Sequence, residues 1–193
     1  MKNNFKNVRT ITLTAILIAL TIIGNRFFVI PIIPKMLEIR FGFLFLAVIA
    51  YFFGPVAAFV AGVATSMLGF IAFPSGAAFN PLFDLNEGLK GVIYAIFLYK
   101  RNHKSEYFII WIVAARTMVK LICHIIINTH LLIAFKIIPN NGAGIVTISR
   151  VFSNVALLPL DILMMLFILK FAATYAYKYN FIKFPKLRKD VKE

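Results

Sequence analysis

Four polar residues recur at every fourth position inside one long apolar segment of the sequence. They are Arg116, Lys120, His124 and Asn128. On an α-helix this spacing places them along one face, which drifts by about 40° per step because four residues turn about 400°. Two cations, an imidazole and an amide on one stripe are the groups that hold an anionic, hydrogen-bonding ligand. We therefore predict that this polar stripe binds substrate.

A second polar group opens the preceding apolar run. Asp84, Asn86 and Glu87 stand where a carboxylate can accept two N–H bonds from an amino-heterocycle. Glu87 and Lys90 are three residues apart, so they could instead neutralise one another. Arg26 lies just before a proline-containing stretch and is equally well explained as a snorkelling terminal residue or as a cation at the mouth of a site. Asp84, Asn86, Glu87 and Arg26 are therefore candidate substrate contacts.

The elements that would position these residues are membrane-spanning helices. Of the 193 residues 61% are apolar and the mean hydropathy is +0.88, whereas ordinary soluble domains are about 45–50% apolar. The net charge is +14, and 12 of the 21 basic residues lie in blocks at 2–9, 100–104 and 178–192. Each block abuts an apolar run, which is the pattern of cytoplasmic loops. This placement disfavours a nucleic-acid partner and indicates a protein embedded in lipid.

Six apolar runs predict an all-α, polytopic membrane protein: a single domain over 1–193 that forms a bundle of six transmembrane helices with both termini in the cytoplasm. The predicted helices cover 10–30, 41–53, 55–73, 85–99, 107–138 and 150–177. With the basic blocks inside, the connections 31–40, 74–83 and 139–149 lie outside. The second helix is the shortest, since 13 residues rise only about 20 Å against a hydrocarbon core of about 30 Å.

The lipid setting makes the polar stripe costly, because a charged side chain at the bilayer centre costs at least about 2.5–3.5 kcal/mol. We favour an interior cavity whose wall is the stripe. The alternative is that Arg116 and Lys120 snorkel or pair with acidic residues of neighbouring helices. For Asp161, in the last predicted helix, we expect the role of partner to a basic residue.

Several chemistries find no support in the sequence. The three histidines are too scattered to define a metal site, so neither a metal nor a cofactor is expected. There is no Walker motif, so the chain does not hydrolyse ATP by the P-loop mechanism. We predict a protein that is not an enzyme. A stand-alone small transporter or channel and a membrane-embedded enzyme remain open as alternatives.

Small residues spaced by four mark two further helix faces. Ala15 and Ala19 form one pair, and Ala58, Gly62 and Ser66 form a similar row. Such surfaces let helices approach closely. They are common in any bundle, so internal packing is the first explanation for each.

The sequence resembles the substrate-binding S components of energy-coupling factor (ECF) vitamin transporters, in particular the folate-type group. The resemblance covers nearly the whole chain and rests on the order and spacing of segments rather than on one decisive motif. These segments are ITLTAILIAL at 11–20, RFFVIP at 26–31, IRFGFL at 39–44, YFFGP at 51–55, FPSG at 73–76, LKGVIYAIFLY at 89–99, INT at 127–129 and LPLD at 158–161.

The resemblance implies a multi-pass protein of the bacterial cell membrane that captures a vitamin from outside. It implies as partners a transmembrane coupling (T) protein and two cytoplasmic ATPase subunits, with the Ala15/Ala19 face looking like the docking surface. For folate, Arg116 and Lys120 would meet the glutamate carboxylates, and Glu87 or Asn86 would bond the pterin. The segment 80–87 is more polar than the folate-type pattern, so hydroxymethyl-pyrimidine, pantothenate or niacin is the runner-up.

Overall fold

The computed structural model describes residues 8–33, 37–74, 79–103, 105–135 and 143–178, and most of them are helical. The elements in chain order are α1 (Val8–Arg26), β1 (Val29–Ile33), β2 (Leu37–Arg40), α2 (Gly42–Phe53), α3 (Pro55–Ala72), α4 (Pro81–Leu98), α5 (Phe108–Met118), a π-helical segment (Val119–Ile127), α6 (Asn128–Ala134), α7 (Ala143–Ala156) and α8 (Leu158–Lys178).

Three of the described helical stretches are long and apolar enough to cross a membrane: Pro55–Ala72, Phe108–Ala134 and Leu158–Ala176. Thr10–Arg26 and Gly42–Phe53 are shorter apolar helices. Large apolar side chains such as those of Ile71, Phe167 and Leu163 are exposed on the outside of the bundle, where lipid would cover them. The chain is a multi-pass membrane protein. The six crossings and the position of the termini remain predictions.

α2, α3 and α4 form what we call the packed layer. α2 is apolar on every side and buries ten of its 12 residues, as expected for a helix enclosed by others. α3 and α4 approach backbone to backbone, because a Cβ atom on Gly62 would lie 2.5 Å from the Glu87 carbonyl oxygen and Gly91 lies against the carbonyl of Ala58. Internal packing, the first explanation for the row of Ala58, Gly62 and Ser66, is confirmed for Ala58 and Gly62, whereas Ser66 lines a cavity.

The turn between α2 and α3 requires a glycine. Gly54 has a φ of 86°, a left-handed conformation that residues with a Cβ rarely adopt. Pro55 then begins α3, where its missing N–H costs no hydrogen bond. The side chain of Tyr99 covers Gly54, so this turn is packed against the end of α4.

The first predicted helix, 10–30, ends too late, and the fold is not entirely α-helical. α1 stops at Arg26, and β1 pairs with β2 as an antiparallel hairpin in which Val29 faces Arg40. Pro31 explains the difference, since proline cannot donate the hydrogen bond that a continuing helix needs. We call this end of the bundle the hairpin end. The start of α4 and the end of α6 meet there, where the Phe83 and Phe135 rings are 6.5 Å apart.

Three other predicted helices differ from the structure. The run 85–99 begins at Pro81, so part of the predicted loop 74–83 is helical. The run 107–138 is interrupted by the π-helical segment, and its last residues lie outside the described part of the chain. The run 150–177 is two helices, and α7 begins within the predicted loop 139–149. α7 ends at Ala156 because Pro159 cannot donate a hydrogen bond to the carbonyl of residue 155.

Candidate ligand-binding site

A polar cavity of about 690 Å³ lies inside the bundle. Its wall is formed by α1, the hairpin, all three helices of the packed layer, α5, the π-helical segment, the start of α6, α7 and α8. The volume is within the range of about 300–1,000 Å³ that is usual for sites that enclose a small molecule. The predicted residues in its wall are Arg26, Glu87, Arg116, Lys120, His124 and Asn128.

The π-helical segment aligns the polar stripe with this cavity. In an α-helix, residues spaced by four drift steadily around the axis. A π-helix closes its hydrogen bonds over five residues rather than four, so its turn is wider, and a spacing of four no longer overshoots a full turn as it does in an α-helix. Nine residues, Val119–Ile127, adopt this form, and all four stripe residues reach the same cavity. The stripe was predicted from its spacing, but the helix type that keeps it in line was not.

Asp84 and Asn86 do not line the cavity, although both are buried on α4. The Asn86 side chain donates a hydrogen bond to the carbonyl oxygen of Cys123, at 3.2 Å. That oxygen also accepts the backbone N–H of Asn128 at the end of the π-helical segment. Asn86 therefore braces the segment from the packed layer and does not face a ligand in this geometry.

The most buried charged residues of the cavity wall, called here the deep network, are Arg116, Lys120 and Asp161. The Nη2 of Arg116 lies 2.9 Å from Oδ2 of Asp161, and Nζ of Lys120 lies 2.5 Å from the same oxygen. Arg116 also donates to the hydroxyl of Tyr94, and its guanidinium lies 3.6 Å from the centre of the Phe43 ring. The expected role of Asp161 as partner to a basic residue is confirmed.

The interpretation that Arg116 and Lys120 pair with an acid of a neighbouring helix is therefore correct for this structure. Both side chains also line the cavity. The two alternatives, pairing with an acidic residue and lining an interior cavity, are therefore compatible. The two cations share one carboxylate, and Lys120 donates a further hydrogen bond to the carbonyl oxygen of Asn154, at 2.7 Å. Whether either cation touches a ligand stays a prediction.

Glu87 and Arg26 occupy two other parts of the wall. Glu87 forms an ion pair with Lys90, as their spacing allowed, and Lys90 also lines the cavity. Arg26 is at the hairpin end, where it donates to the carbonyl of Gly69 at 3.3 Å and lies over the ring of Phe73. Its place in the wall supports a cation at the mouth of the site rather than a residue that only snorkels.

The cavity carries an excess of positive charge. Six of its wall residues are Lys or Arg and three are Asp or Glu, which gives a net charge of +3 with His124 counted as neutral. The basic residues are Arg26, Arg40, Lys90, Arg116, Lys120 and Arg150, and the acidic ones are Glu38, Glu87 and Asp161. Such a cavity favours an anion, provided that hydrogen-bonding groups are also matched.

Sequence reasoning missed several wall residues. Arg150 and Asn154 were not assigned as contacts, although α7 presents Arg150, Ser153 and Asn154 to the cavity at a helical spacing. That spacing was the available signal. Tyr94 gave no signal of its own, since a tyrosine in an apolar helix is ordinary packing.

The Ala15/Ala19 face is exposed on α1, so no helix among the described residues covers it. Among the same residues, no three His, Cys, Asp or Glu side chains come together in a way that could hold a metal ion.

The described residues thus form a membrane-embedded bundle with a partly open, positively charged polar cavity. A family model described as the ECF-type riboflavin transporter S component matches residues 5–174. The chain belongs to this family of ECF S components, as the resemblance predicted. The family is one of transporter subunits and is not a class of enzymes.

Two relatives carry folate in their names. The folate transporter FolT of Clostridium novyi (strain NT) is 35% identical over 97 residues. That match covers 50% of this chain and 55% of FolT, so the chain spans about half the length of this curated relative. A crystal structure of FolT bound with folic acid matches with a TM-score of 0.69 and 26% identity over 92% of this chain and 97% of that one.

Proposed function

We propose that this chain is the folate-binding S component of an ECF-type importer. The observation that carries the proposal is the net positive cavity within a fold similar to that of FolT bound with folic acid. Folate combines an amino-heterocycle with a glutamate, so it presents N–H donors to carboxylates and carboxylates to cations. The cavity offers both kinds of partner.

Capture follows from these contacts. Ion pairs in a partly buried cavity gain more from Coulomb attraction than pairs in bulk water, so matched charges raise affinity. Ion pairs and hydrogen bonds within the wall, such as those of Arg116 and Lys120 with Asp161, hold its side chains in place before the ligand arrives. Such preorganisation lowers the entropy that binding costs.

Riboflavin is the second candidate, because the matching family model bears its name. Riboflavin has no net charge, so it would leave the excess of cations in the cavity without a counter-charge. A smaller vitamin, such as hydroxymethyl-pyrimidine, pantothenate or niacin, would fill less of the 690 Å³. A stand-alone transporter would have the same cavity but would not need ATPase subunits.

The direct test is titration calorimetry of the purified chain with folic acid and, separately, riboflavin, together with mass spectrometry of any co-purified small molecule. We expect folic acid to bind at least about 100-fold more tightly, a difference of roughly 2.7 kcal/mol. Tighter binding of riboflavin, or co-purification of a different vitamin, would reject folate as the ligand.

The two deep cations supply a second test. We expect Arg116→Ala and Lys120→Ala each to raise the dissociation constant for folic acid at least tenfold, or about 1.4 kcal/mol. Lys170→Ala is the matched control, since Lys170 is exposed on α8 and away from the cavity wall. If both cavity variants bind like the parent while staying folded, the stripe is structural.

For the partners we propose a transmembrane coupling protein and two cytoplasmic ATPases, with the exposed Ala15/Ala19 face as the docking surface. Replacing both residues by Trp should block assembly with the coupling protein, because bulky side chains keep helices apart. Folic acid binding by the isolated chain should survive. Loss of folic acid binding as well would mean that the face supports the fold itself.

For location we propose the bacterial cell membrane, with both termini in the cytoplasm and six crossings. Single cysteines at positions 102 and 141, in a Cys123→Ala background, should then react with an impermeant thiol reagent from opposite sides. The cysteine replacing Asn102 should react from inside and the one replacing Asn141 from outside. Reaction of both from one side would reject this topology.

A further inference from the structure

The cations of the cavity differ in whether a carboxylate already neutralises them. Arg40 pairs with Glu38 and Lys90 with Glu87. Arg116 and Lys120 share Asp161. Among the described residues Arg150 has no hydrogen bond or ion pair from its guanidinium, although it is part of the cavity wall.

Arg26 is the other wall cation without a carboxylate partner in the described part of the chain, but its guanidinium is already engaged. It donates to a backbone carbonyl and lies over an aromatic ring. Arg150 has no comparable contact. A guanidinium left without a partner in a partly buried cavity is unfavourable, and a planar carboxylate satisfies it with two parallel hydrogen bonds.

The position of Arg150 separates it from the deep charges. Arg150 precedes Asn154 by one helical turn on α7, about 5–6 Å along the axis, and the carbonyl of Asn154 is the acceptor for Lys120. Since α7 begins after the connection that follows α6, Arg150 lies on the hairpin-end side of Lys120. The unmatched positive charge is thus nearer to that end than the neutralised pair.

The deep network has the opposite requirement. All the described side-chain contacts of Asp161 use Oδ2, so Oδ1 has no hydrogen-bond partner among the described residues. A carboxylate oxygen accepts N–H donors, and an amino-heterocycle supplies them. The deep end therefore suits the heterocycle of a ligand, and the Arg150 side suits its carboxylates.

We propose that Arg150 is the specificity-determining residue that binds the glutamate end of the ligand. This inference rests on the proposed folate function and deepens it. It reverses the orientation predicted from the sequence, in which Arg116 and Lys120 received the glutamate. Arg150 then distinguishes a vitamin with an amino-acid tail from one that ends at its ring system.

The test compares folic acid with pteroic acid, which retains the pterin and the benzoate but lacks the glutamate. Both are titrated into the purified full chain and into its Arg150→Gln and Arg150→Lys variants. Arg150→Gln should weaken folic acid binding at least about tenfold and pteroic acid binding by less than about threefold. Arg150→Lys keeps the charge but loses the planar fork, so its affinity for folic acid should lie between those of the parent and Arg150→Gln.

Lys170→Gln serves as the control for the loss of one positive charge, because Lys170 is exposed on α8 and is not part of the cavity wall. It should leave both affinities unchanged. Equal weakening of the two ligands by Arg150→Gln, or no weakening of folic acid, overturns the role of Arg150 while the folate function stands. If the parent chain fails to bind folic acid, the proposed function itself is overturned, and this inference with it.

Discussion

The packed layer and the region opposite it, which comprises α5, the π-helical segment, α7 and α8, are held together by different forces. In the packed layer, helices meet through glycine and alanine, and α2 is almost entirely buried. In the opposite region, called here the polar half, contacts between helices include the Arg116, Lys120 and Asp161 network. Its long helices are also interrupted, by a π-helical segment and by the break before α8.

The difference indicates a division of roles, in which the packed layer supports the fold and the polar half carries the charged groups for binding. The contacts between α3 and α4 are made by backbone and small side chains, so we expect the stability of the packed layer to depend little on a ligand. Buried cations need counter-charges, and the polar half supplies too few of them within itself. The polar half should therefore be the region whose stability responds to the ligand, which the following variants examine.

The largest effect should come from Asp161→Asn, because one carboxylate neutralises two buried cations. Removing one partner of a buried pair costs about 3–5 kcal/mol, since the remaining charge has no counter-ion. We expect this loss in the free energy of unfolding in detergent, with Glu106→Gln, an exposed carboxylate, as a neutral control. Adding Lys120→Met should recover part of the loss. A variant as stable as the parent would show that the network contributes little.

The next effect concerns the packed layer. Gly91→Ala places a methyl group against the carbonyl of Ala58, and overpacking of this kind costs about 1–3 kcal/mol. Gly144→Ala is the matched control, because a Cβ there meets nothing within 4 Å. Both are measured by unfolding in detergent and by folic acid titration. Gly91→Ala should lower stability without changing the affinity of the folded fraction. A change in affinity comparable to that of Lys120→Ala would show that the packed layer also determines binding, which contradicts the proposed division between the two regions.

In the polar half, the sequence identified functional candidates where a charged residue lies inside an apolar run, because burying a charge there costs free energy. The polar stripe stood out because charges inside an apolar run are expensive, and all four of its members line the cavity. The same reasoning identified Asp161 as a counter-charge. The pairing of Arg116 and Lys120 with one carboxylate could not be read from the sequence, because it depends on which helices become neighbours.

Element boundaries were harder to predict for local reasons. α4 begins four residues early because the Asn80 side chain accepts the N–H of Leu82 and Pro81 occupies the first helical position, a start signal that the polar residues after it obscured. The π-helical segment could not be predicted from the sequence, because polar residues spaced by four are compatible with both helix types. The hairpin replaced the end of a predicted helix where Pro31 already argued against continuation.

The smallest effect tests how the two regions are joined. Asn86 belongs to the packed layer, and its side chain donates to the carbonyl of Cys123 in the π-helical segment. Asn86→Leu removes this bond, so we expect a loss of about 1 kcal/mol in the free energy of unfolding. The stripe should then be held less firmly, and folic acid binding should weaken by less than the roughly tenfold expected for Lys120→Ala. Leu85→Ala, at the neighbouring exposed position, should leave affinity unchanged. If Asn86→Leu matches the parent in both measurements, the π-helical segment keeps its form without support from α4.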